Sequence, residues 1–234
     1  MTIEYDGTDF CGWQYQPDHR TVQGDIEGAL ERLTDETIRI IGAGRTDQGV
    51  HALGQVANFH TATDMPLHKI KQGINALTKD DIYVKSVESV ESGFHSRFSA
   101  KAKVYRYHIL REPSPLKIRY GWYTRRRLNV PTMKRVIPMV LGEHDFKNLS
   151  AHSEAENTLC TISGMSLTVD AHSIIIKIEG NRFLRKMIRG IVGFMYDVGR
   201  ERFSPENIND VFKDRIKDIY FAPPHGLCLV EVKY

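Results

Sequence analysis

The chain of 234 residues has few cysteines and no long apolar run. Its three cysteines, Cys11, Cys160 and Cys228, are far apart and form no Cys-x-x-Cys pair, so the pattern indicates neither a disulfide framework nor a zinc site. No apolar stretch approaches the length that spans a membrane, and the N-terminus lacks the basic-then-apolar pattern of an export signal. These absences predict a cytoplasmic protein that does not bind membranes.

Sequence signatures of metal and nucleotide binding are also missing. The ten histidines show no metal-ligand spacing such as His-x-x-x-His on a helix. The glycines Gly42, Gly44 and Gly49 fit neither the dinucleotide fingerprint nor the phosphate-binding loop that ends in Gly-Lys-Ser or Gly-Lys-Thr. We therefore expect no metal site and no nucleotide cofactor, and a nucleotide-dependent enzyme is disfavoured.

Charge is distributed unevenly along the chain, although the net charge is only +3. Residues 1–99 carry 9 basic and 15 acidic side chains, whereas residues 100–200 carry 18 basic and 8 acidic ones. A middle segment this basic favours a polyanionic partner, most simply nucleic acid. A solvated surface balanced by the acidic first third is the alternative that charge alone leaves open.

The order of strand and helix patterns predicts an α+β fold made of two fused halves. We expect the halves to share a largely antiparallel extended sheet, with helices packed on one side and a central basic cleft. The turn-rich segment 111–115 predicts the boundary, which gives an N-terminal half over residues 1–110 and a C-terminal half over residues 111–234. The predicted elements include a strand over residues 37–43, a helix capped by Thr21, and a long helix from Phe183 to Val198.

A glycine-bracketed turn from Gly44 to Ala52 follows the apolar run of the strand predicted over residues 37–43. Loops after strands commonly present functional groups. Arg45 and Asp47 lie two residues apart and point the same way in extended chain, so the guanidinium would favour the ionised carboxylate. The pattern indicates an ionised aspartate presented by a loop, and a simple turn-capping pair is the alternative.

Two further segments combine groups that bind RNA. In the strand over residues 103–110, Tyr105 and Tyr107 lie on one face and Arg106 on the other, and aromatic and basic residues interleaved in this way are typical of single-stranded or flipped-base binding. A half-buried strand with tyrosine in its core is the alternative. At the head of the long predicted helix, basic side chains recur at spacings of three and four and form a positive stripe that opposes the helix dipole. This placement indicates an anionic ligand, and a plain solvated face is the alternative. The stripe consists of Arg182, Arg185, Lys186 and Arg189. The consecutive arginines Arg125, Arg126 and Arg127 suit either contact with a nucleic-acid backbone or an exposed loop.

Taken in order, these and other segments make the chain resemble the TruA-type tRNA pseudouridine synthases over nearly its whole length. Each segment alone is a weak match, and their number and order make the resemblance specific. The matching segments are 5–14, 20–24, the Gly-Arg-Thr-Asp-x-Gly-Val-His-Ala turn at 44–52, 94–100, 105–107, 142–146, 183–189, and Ala222-Pro223 with Gly226-Leu227.

The resemblance implies an enzyme that converts uridine to pseudouridine at positions 38, 39 and 40 of the tRNA anticodon stem-loop. It further implies a homodimer that acts without metal or organic cofactor. By motif match Asp47 is the catalytic aspartate, acting as a nucleophile or as a base. Tyr105 corresponds to the active-site tyrosine, and Arg45 and Arg189 correspond to its basic neighbours, with Arg189 expected to pair with Asp47. The residues expected to bind the substrate are Arg45, Tyr105, Arg106, Arg182, Arg185 and Lys186. The alternative is a non-catalytic tRNA-binding or RNA-folding protein.

Overall fold

A computed structural model describes residues 1–151 and 157–234. Over these residues the chain forms helices and a mostly antiparallel set of strands, which confirms the predicted α+β class. The strands are β1 (Thr2–Tyr5), β2 (Ile41–Gly42), β3 (His51–Asn58), β4 (Ile82–Ser86), β5 (Ala102–Leu110), β6 (Trp122–Tyr123), β7 (Gly142–Asp145), β8 (Leu159–Val169), β9 (Ser173–Gly180) and β10 (Leu227–Lys233). The helices are α1 (Val22–Thr34), α2 (Leu67–Leu77), α3 (Val130–Val140), α4 (Met187–Gly199) and α5 (Ile208–Phe212). No helix of the described residues is long and apolar enough to cross a membrane.

The described chain divides into two compact units. Unit 1 comprises Met1–Lys101 and Cys228–Tyr234, and unit 2 comprises Ala102–Leu227. These units do not coincide with the predicted halves 1–110 and 111–234. The difference has two causes: β5 pairs with β9 over eight residues, and β10 returns to pair with β3. Whether residues 1–110 and 111–234 behave as separate halves stays a prediction.

In unit 1 the strand order is β4-β1-β3-β10, with β2 paired to β3. β1 is antiparallel to both β3 and β4, whereas β10 runs parallel to β3. Helix α1 begins where predicted, because the Thr21 hydroxyl accepts a hydrogen bond from the Gly24 amide and so satisfies one amide of the first turn. Its apolar side, which includes Ile26 and Leu30, is buried.

The strand predicted over residues 37–43 is much shorter in the structure. Only Ile41 and Gly42 pair with β3, although Ile38 and Ile40 are buried as an apolar strand would be. The amide of Ile40 donates instead to the carboxylate of Glu27 on α1, at 2.9 Å. A side chain therefore takes the place of a neighbouring strand at this point, and the prediction of a longer strand is wrong.

In unit 2 the strand order is β5-β9-β8-β7, all antiparallel, with the short β6 parallel to β5. Tyr105, Tyr107 and Ile109 of β5 stand opposite Ile178, Ile176 and Ile174 of β9. All six are buried, so this face of the sheet belongs to the core. The alternate positions pair Arg106 with Lys177 and His108 with Ile175, so the other face is mixed in character.

Helix α4 begins later than predicted, at Met187 rather than at Phe183. The preceding residue, Lys186, has a left-handed backbone (φ 60°), and the carbonyl of Arg185 accepts from the amide of Ala151 instead of from an amide of the helix. Three of the four predicted stripe residues, Arg182, Arg185 and Lys186, therefore lie in the loop before the helix. The expectation of a basic stripe along the first turns is wrong, because only Arg189 is helical.

Candidate active site

The turn that carries Asp47 connects β2 to β3 in unit 1 and is fixed through its middle residue. Thr46 is buried, and its hydroxyl shares a hydrogen bond of 2.8 Å with the hydroxyl of Tyr5. Burial raises the pKa of Tyr5 well above its usual range, which keeps this hydroxyl protonated. On either side of the inward-pointing Thr46, Arg45 is exposed and Asp47 is half-buried. The structure thus presents the aspartate from a loop, as the sequence predicts.

The segment after β1 packs against this turn at distances that only glycine permits. The amide of Trp13 donates to the carbonyl of Thr46 at 3.1 Å, and Gly12 beside it has a φ of +91°. A Cβ on Gly12 would lie 2.7 Å from the Thr46 oxygen, and one on Gly7 would lie 2.1 Å from the carbonyl oxygen of Val50. The first motif of the chain therefore forms one wall of the Asp47 turn.

Arg20 anchors this segment to the rest of unit 1, a function that the sequence pattern does not reveal. Its two terminal nitrogens donate to the carboxylate of Asp81 at 2.6 and 2.8 Å, and its Nε donates to Asp25 at 3.0 Å. Asp81 raises the pKa of the guanidinium further above its ordinary value, so Arg20 keeps its positive charge. The backbone carbonyl of Arg20 also accepts from the amide of Cys11 at 2.9 Å.

In unit 2 both tyrosines of the predicted aromatic strand are buried. Tyr107 is inaccessible, its hydroxyl donates to the carbonyl of Pro223 at 2.7 Å, and burial raises its pKa. Tyr105 is 7% exposed and meets the ring of Phe183 edge-on at 5.2 Å between centroids. The strand is thus not an open stacking platform, since Tyr107 is a core residue and Tyr105 reaches the surface only marginally.

Arg189 is held in place at the start of α4 by two hydrogen bonds to one residue. Its Nε donates to the carbonyl of Ala222 at 2.7 Å, and the Ala222 amide donates back to the Arg189 carbonyl at 3.0 Å. Close packing supports this contact, because a Cβ on Gly193 would lie 1.6 Å from the carbonyl oxygen of Tyr220. Two segments that resemble the family, 183–189 and the Ala222-Pro223 pair, therefore meet in the fold.

The other basic residues predicted to bind the substrate differ in burial and in the side of the strand or loop on which they lie. Arg106 lies on the opposite face of β5 from Tyr105, because successive residues of a strand point to opposite sides. In the described part of the chain its Nε is buried without a hydrogen-bond partner. Arg182 and Arg185 are exposed, and Lys186 approaches the ring of Phe221 at 6.0 Å. The side chains of Arg106 and Tyr105 therefore do not face the same surface.

Residues 1–151 and 157–234 contain no group of three or more histidine, cysteine, aspartate or glutamate side chains that could hold a metal ion. The three cysteines are free. Burial raises the pKa of the Cys160 thiol, and it is therefore protonated rather than a reactive thiolate.

A family model described as tRNA pseudouridine synthase matches residues 1–99 and 136–234. The chain belongs to this family. The resemblance drawn from the ordered motifs is thereby confirmed. The matched residues of the family include Asp47, Arg45 and Arg189, whereas Tyr105, Arg106 and the three consecutive arginines lie outside them.

Individual family members resemble the chain over almost its full length. The tRNA pseudouridine synthase A of Pseudothermotoga lettingae is 43% identical over 238 residues, which cover 99% of this chain and 97% of that protein. The proteins of the same name from Chlorobium limicola and Caldicellulosiruptor bescii are 41% and 42% identical, with coverage of at least 97% on both sides. A chain from the crystal structure of an archaeal box H/ACA sRNP complex aligns with a TM-score of 0.36 at 8% identity, over 85% of this chain and 44% of that one, and this likeness supports no conclusion.

Proposed function

We propose that this chain converts uridine to pseudouridine at positions 38, 39 and 40 of the tRNA anticodon stem-loop. The observation that carries the proposal is the presentation of Asp47. Its half-buried carboxylate lies on a turn that the hydrogen bond between Thr46 and Tyr5 fixes and against which residues 5–14 pack. The turn lies within the residues that match the family. Family members named tRNA pseudouridine synthase A share this chain's full length, which supports tRNA as the substrate.

The isomerisation leaves the atomic composition of the nucleotide unchanged. The bond between nitrogen 1 of uracil and carbon 1′ of ribose breaks, the base turns, and carbon 5 bonds to carbon 1′ while its proton leaves and nitrogen 1 gains one. The Asp47 carboxylate would act as a nucleophile at carbon 1′ or at carbon 6, or as the base that removes the 2′ proton. The target uridine is stacked in a helix and must first be flipped out, at a cost of a few kcal/mol.

Four residues are assigned to the reacting nucleotide in this proposal. Asp47 carries the chemistry. The hydroxyl group of Tyr105 assists proton transfer at carbon 5. Arg45, exposed beside Asp47, holds the flipped nucleotide through its phosphate. Arg189 supplies a positive charge whose position is fixed by Ala222.

The remaining predicted substrate contacts serve the RNA backbone. Arg182 and Arg185 are exposed in the loop before α4 and are free to approach phosphates, with Lys186 beside them. Arg106 would attract RNA from the other face of β5. We further propose that the protein is a cytoplasmic homodimer, on the strength of the family resemblance. Sedimentation of the purified protein at micromolar concentration tests the dimer, and a monomer mass there would contradict it.

The deciding experiment uses tRNA that carries tritium at carbon 5 of uridine, because pseudouridine formation releases that label to water. We expect wild type to release it and Asp47→Asn to release at least a thousandfold less, while tRNA binding stays within threefold. Asp64→Asn, which neutralises an exposed aspartate outside the site, should behave as wild type. If well-folded wild type binds tRNA without releasing tritium, the non-catalytic RNA-binding alternative holds instead.

A further inference from the structure

Unit 2 contains a second strongly basic site, a pocket of about 1060 Å³. It lies where the end of β5, the segment after β6, the start of α3 and the end of α4 come together. Glu201 is the only acidic residue among the described residues that line it. The basic side chains in its wall are Arg111, Arg125, Arg126, Arg127 and Arg200.

The arginines of this pocket differ in whether they form hydrogen bonds with the rest of the protein. Arg200 donates from Nε to Asp197 at 2.7 Å, and Arg111 donates to the carbonyl of Asp170 at 2.8 Å, so these two are anchored to the protein. The guanidinium groups of residues 125–127 are exposed. None of these three forms an ion pair with a carboxylate in the described part of the chain. The pocket therefore offers three guanidinium groups without an ion pair in the described part of the chain, beside two arginines that are anchored to the protein.

The pocket is separate from the basic group around Arg189. Helix α4 has Arg189 in its first turn and Arg200 directly after its last residue. Eleven residues at a rise of 1.5 Å per residue place the backbones of Arg189 and Arg200 about 16 Å apart along the helix axis. Among the described residues, those that line the pocket at the end of α4 are Gly199, Arg200 and Glu201, and Arg189 is not one of the lining residues.

The shape and lining of the pocket favour a segment of RNA strand. Pockets for small molecules typically enclose about 300–1,000 Å³, so this volume exceeds what a single small anion occupies. Guanidinium groups bind phosphate oxygens through two parallel hydrogen bonds, and apolar side chains such as Leu128 and Val130 can accept the sugar between two phosphates. We propose that the pocket binds backbone phosphates of the tRNA at a segment other than the one that Arg189 contacts, an inference that rests on the proposed function.

The test removes the three exposed charges together in Arg125→Gln/Arg126→Gln/Arg127→Gln. We expect the Kd for full-length tRNA to rise at least tenfold. The slope of log K against log salt should become shallower by about two, since each phosphate contact contributes roughly 0.7–0.9 to it. The control is Lys69→Gln/Lys79→Gln/Lys213→Gln, which removes the same charge from exposed positions outside the pocket and should change Kd less than threefold.

Other outcomes would overturn the proposal in distinguishable ways. Wild-type tRNA affinity of the pocket variant, or an equal loss in the lysine control, would contradict phosphate binding by this pocket. Calorimetric binding of inorganic phosphate that is lost in the pocket variant, with tRNA affinity unchanged, would assign the pocket to a free phosphate compound. Tritium release by wild type is measured in parallel. Its absence would end the proposed function, whereas weakened tRNA binding by the pocket variant would still support the pocket.

Discussion

Arg20 is the residue whose loss should most weaken the support of the Asp47 turn. Its hydrogen bonds to Asp81 and Asp25 join the segment after β1 to the rest of unit 1, and the pair is only about a quarter exposed. We expect Arg20→Met to lower the free energy of unfolding in urea by about 2 kcal/mol, because hydrogen bonds to charged groups contribute roughly 1.5–3 kcal/mol and Asp81 loses its partner. Pseudouridine formation should fall as well.

Lys85→Met is the matched control for this charge removal. Lys85 pairs with Glu4 at 3.3 Å, but both side chains are over 40% exposed, so the loss should stay below about 0.5 kcal/mol. Equal effects of the two substitutions would show that Arg20 contributes no more than a surface ion pair.

His108 predicts a pH dependence of stability. Burial lowers its pKa, with a further contribution from Arg106, and Asp170 opposes this only in part. Its Nε2 is buried and lacks a hydrogen-bond partner among residues 1–151 and 157–234. The unfolded chain therefore takes up the proton first, and stability is lost as the pH falls below the unfolded value of about 6.5 towards the lower folded value.

The measurement is urea unfolding between pH 7.5 and 5 for wild type and His108→Gln. Wild type should lose more stability than the variant over this range. Nuclear magnetic resonance titration should give His108 a pKa below the ordinary histidine value of about 6.5. An equal slope for both proteins would contradict the assignment.

Helices α1 and α4 each contain an internal glycine, and alanine should have opposite effects in the two. A Cβ on Gly28 of α1 meets no atom within 4 Å, so Gly28→Ala should stabilise the protein by about 0.5–1 kcal/mol through helix propensity. A Cβ on Gly193 of α4 would lie 1.6 Å from the Tyr220 carbonyl oxygen, which forces the backbone apart. Gly193→Ala should cost more than about 3 kcal/mol in thermal or urea unfolding, and comparable stabilities of the two variants would refute this packing.

The same elements show where sequence patterns predict structure and where they do not. Helix α1 is predictable because its cap, Thr21, and its apolar spacing are both local. The short β2 is not, since the partner of the Ile40 amide is the carboxylate of Glu27 on α1, which no local pattern links to it. Helix α4 begins at Met187 because a backbone contact from Ala151 interrupts the helical pattern before it.

The candidate site follows the same rule. The turn around Asp47 is recognisable because its motif is contiguous, whereas its anchors are dispersed. Thr46 is held by its hydrogen bond with Tyr5, and the segment after β1 is held by the ion pair of Arg20 with the distant Asp81. No spacing in the sequence links these positions, and the burial of Tyr105 likewise depends on Phe183, which comes from another element.

Unit 1 as a whole depends on a strand from the far end of the chain. In β10, Leu229 is inaccessible and stands opposite Ala52 of β3. We expect Leu229→Ala to cost about 2–5 kcal/mol. Hydrogen exchange should accelerate more for the amides of β3 than for those of β9 in unit 2. Glu231→Ala, at an exposed position of the same strand, is the control, and uniform acceleration in both units would show that they unfold together.

This arrangement has a consequence for how the protein becomes active during synthesis. The strand after the Asp47 turn is made early, yet its parallel neighbour β10 is separated from it by all of unit 2. At about 5–20 residues per second, a ribosome needs on the order of ten seconds to translate that insertion. A nascent chain can therefore complete unit 2 while unit 1 still lacks strand β10. The aspartate turn would then be the last functional part to mature.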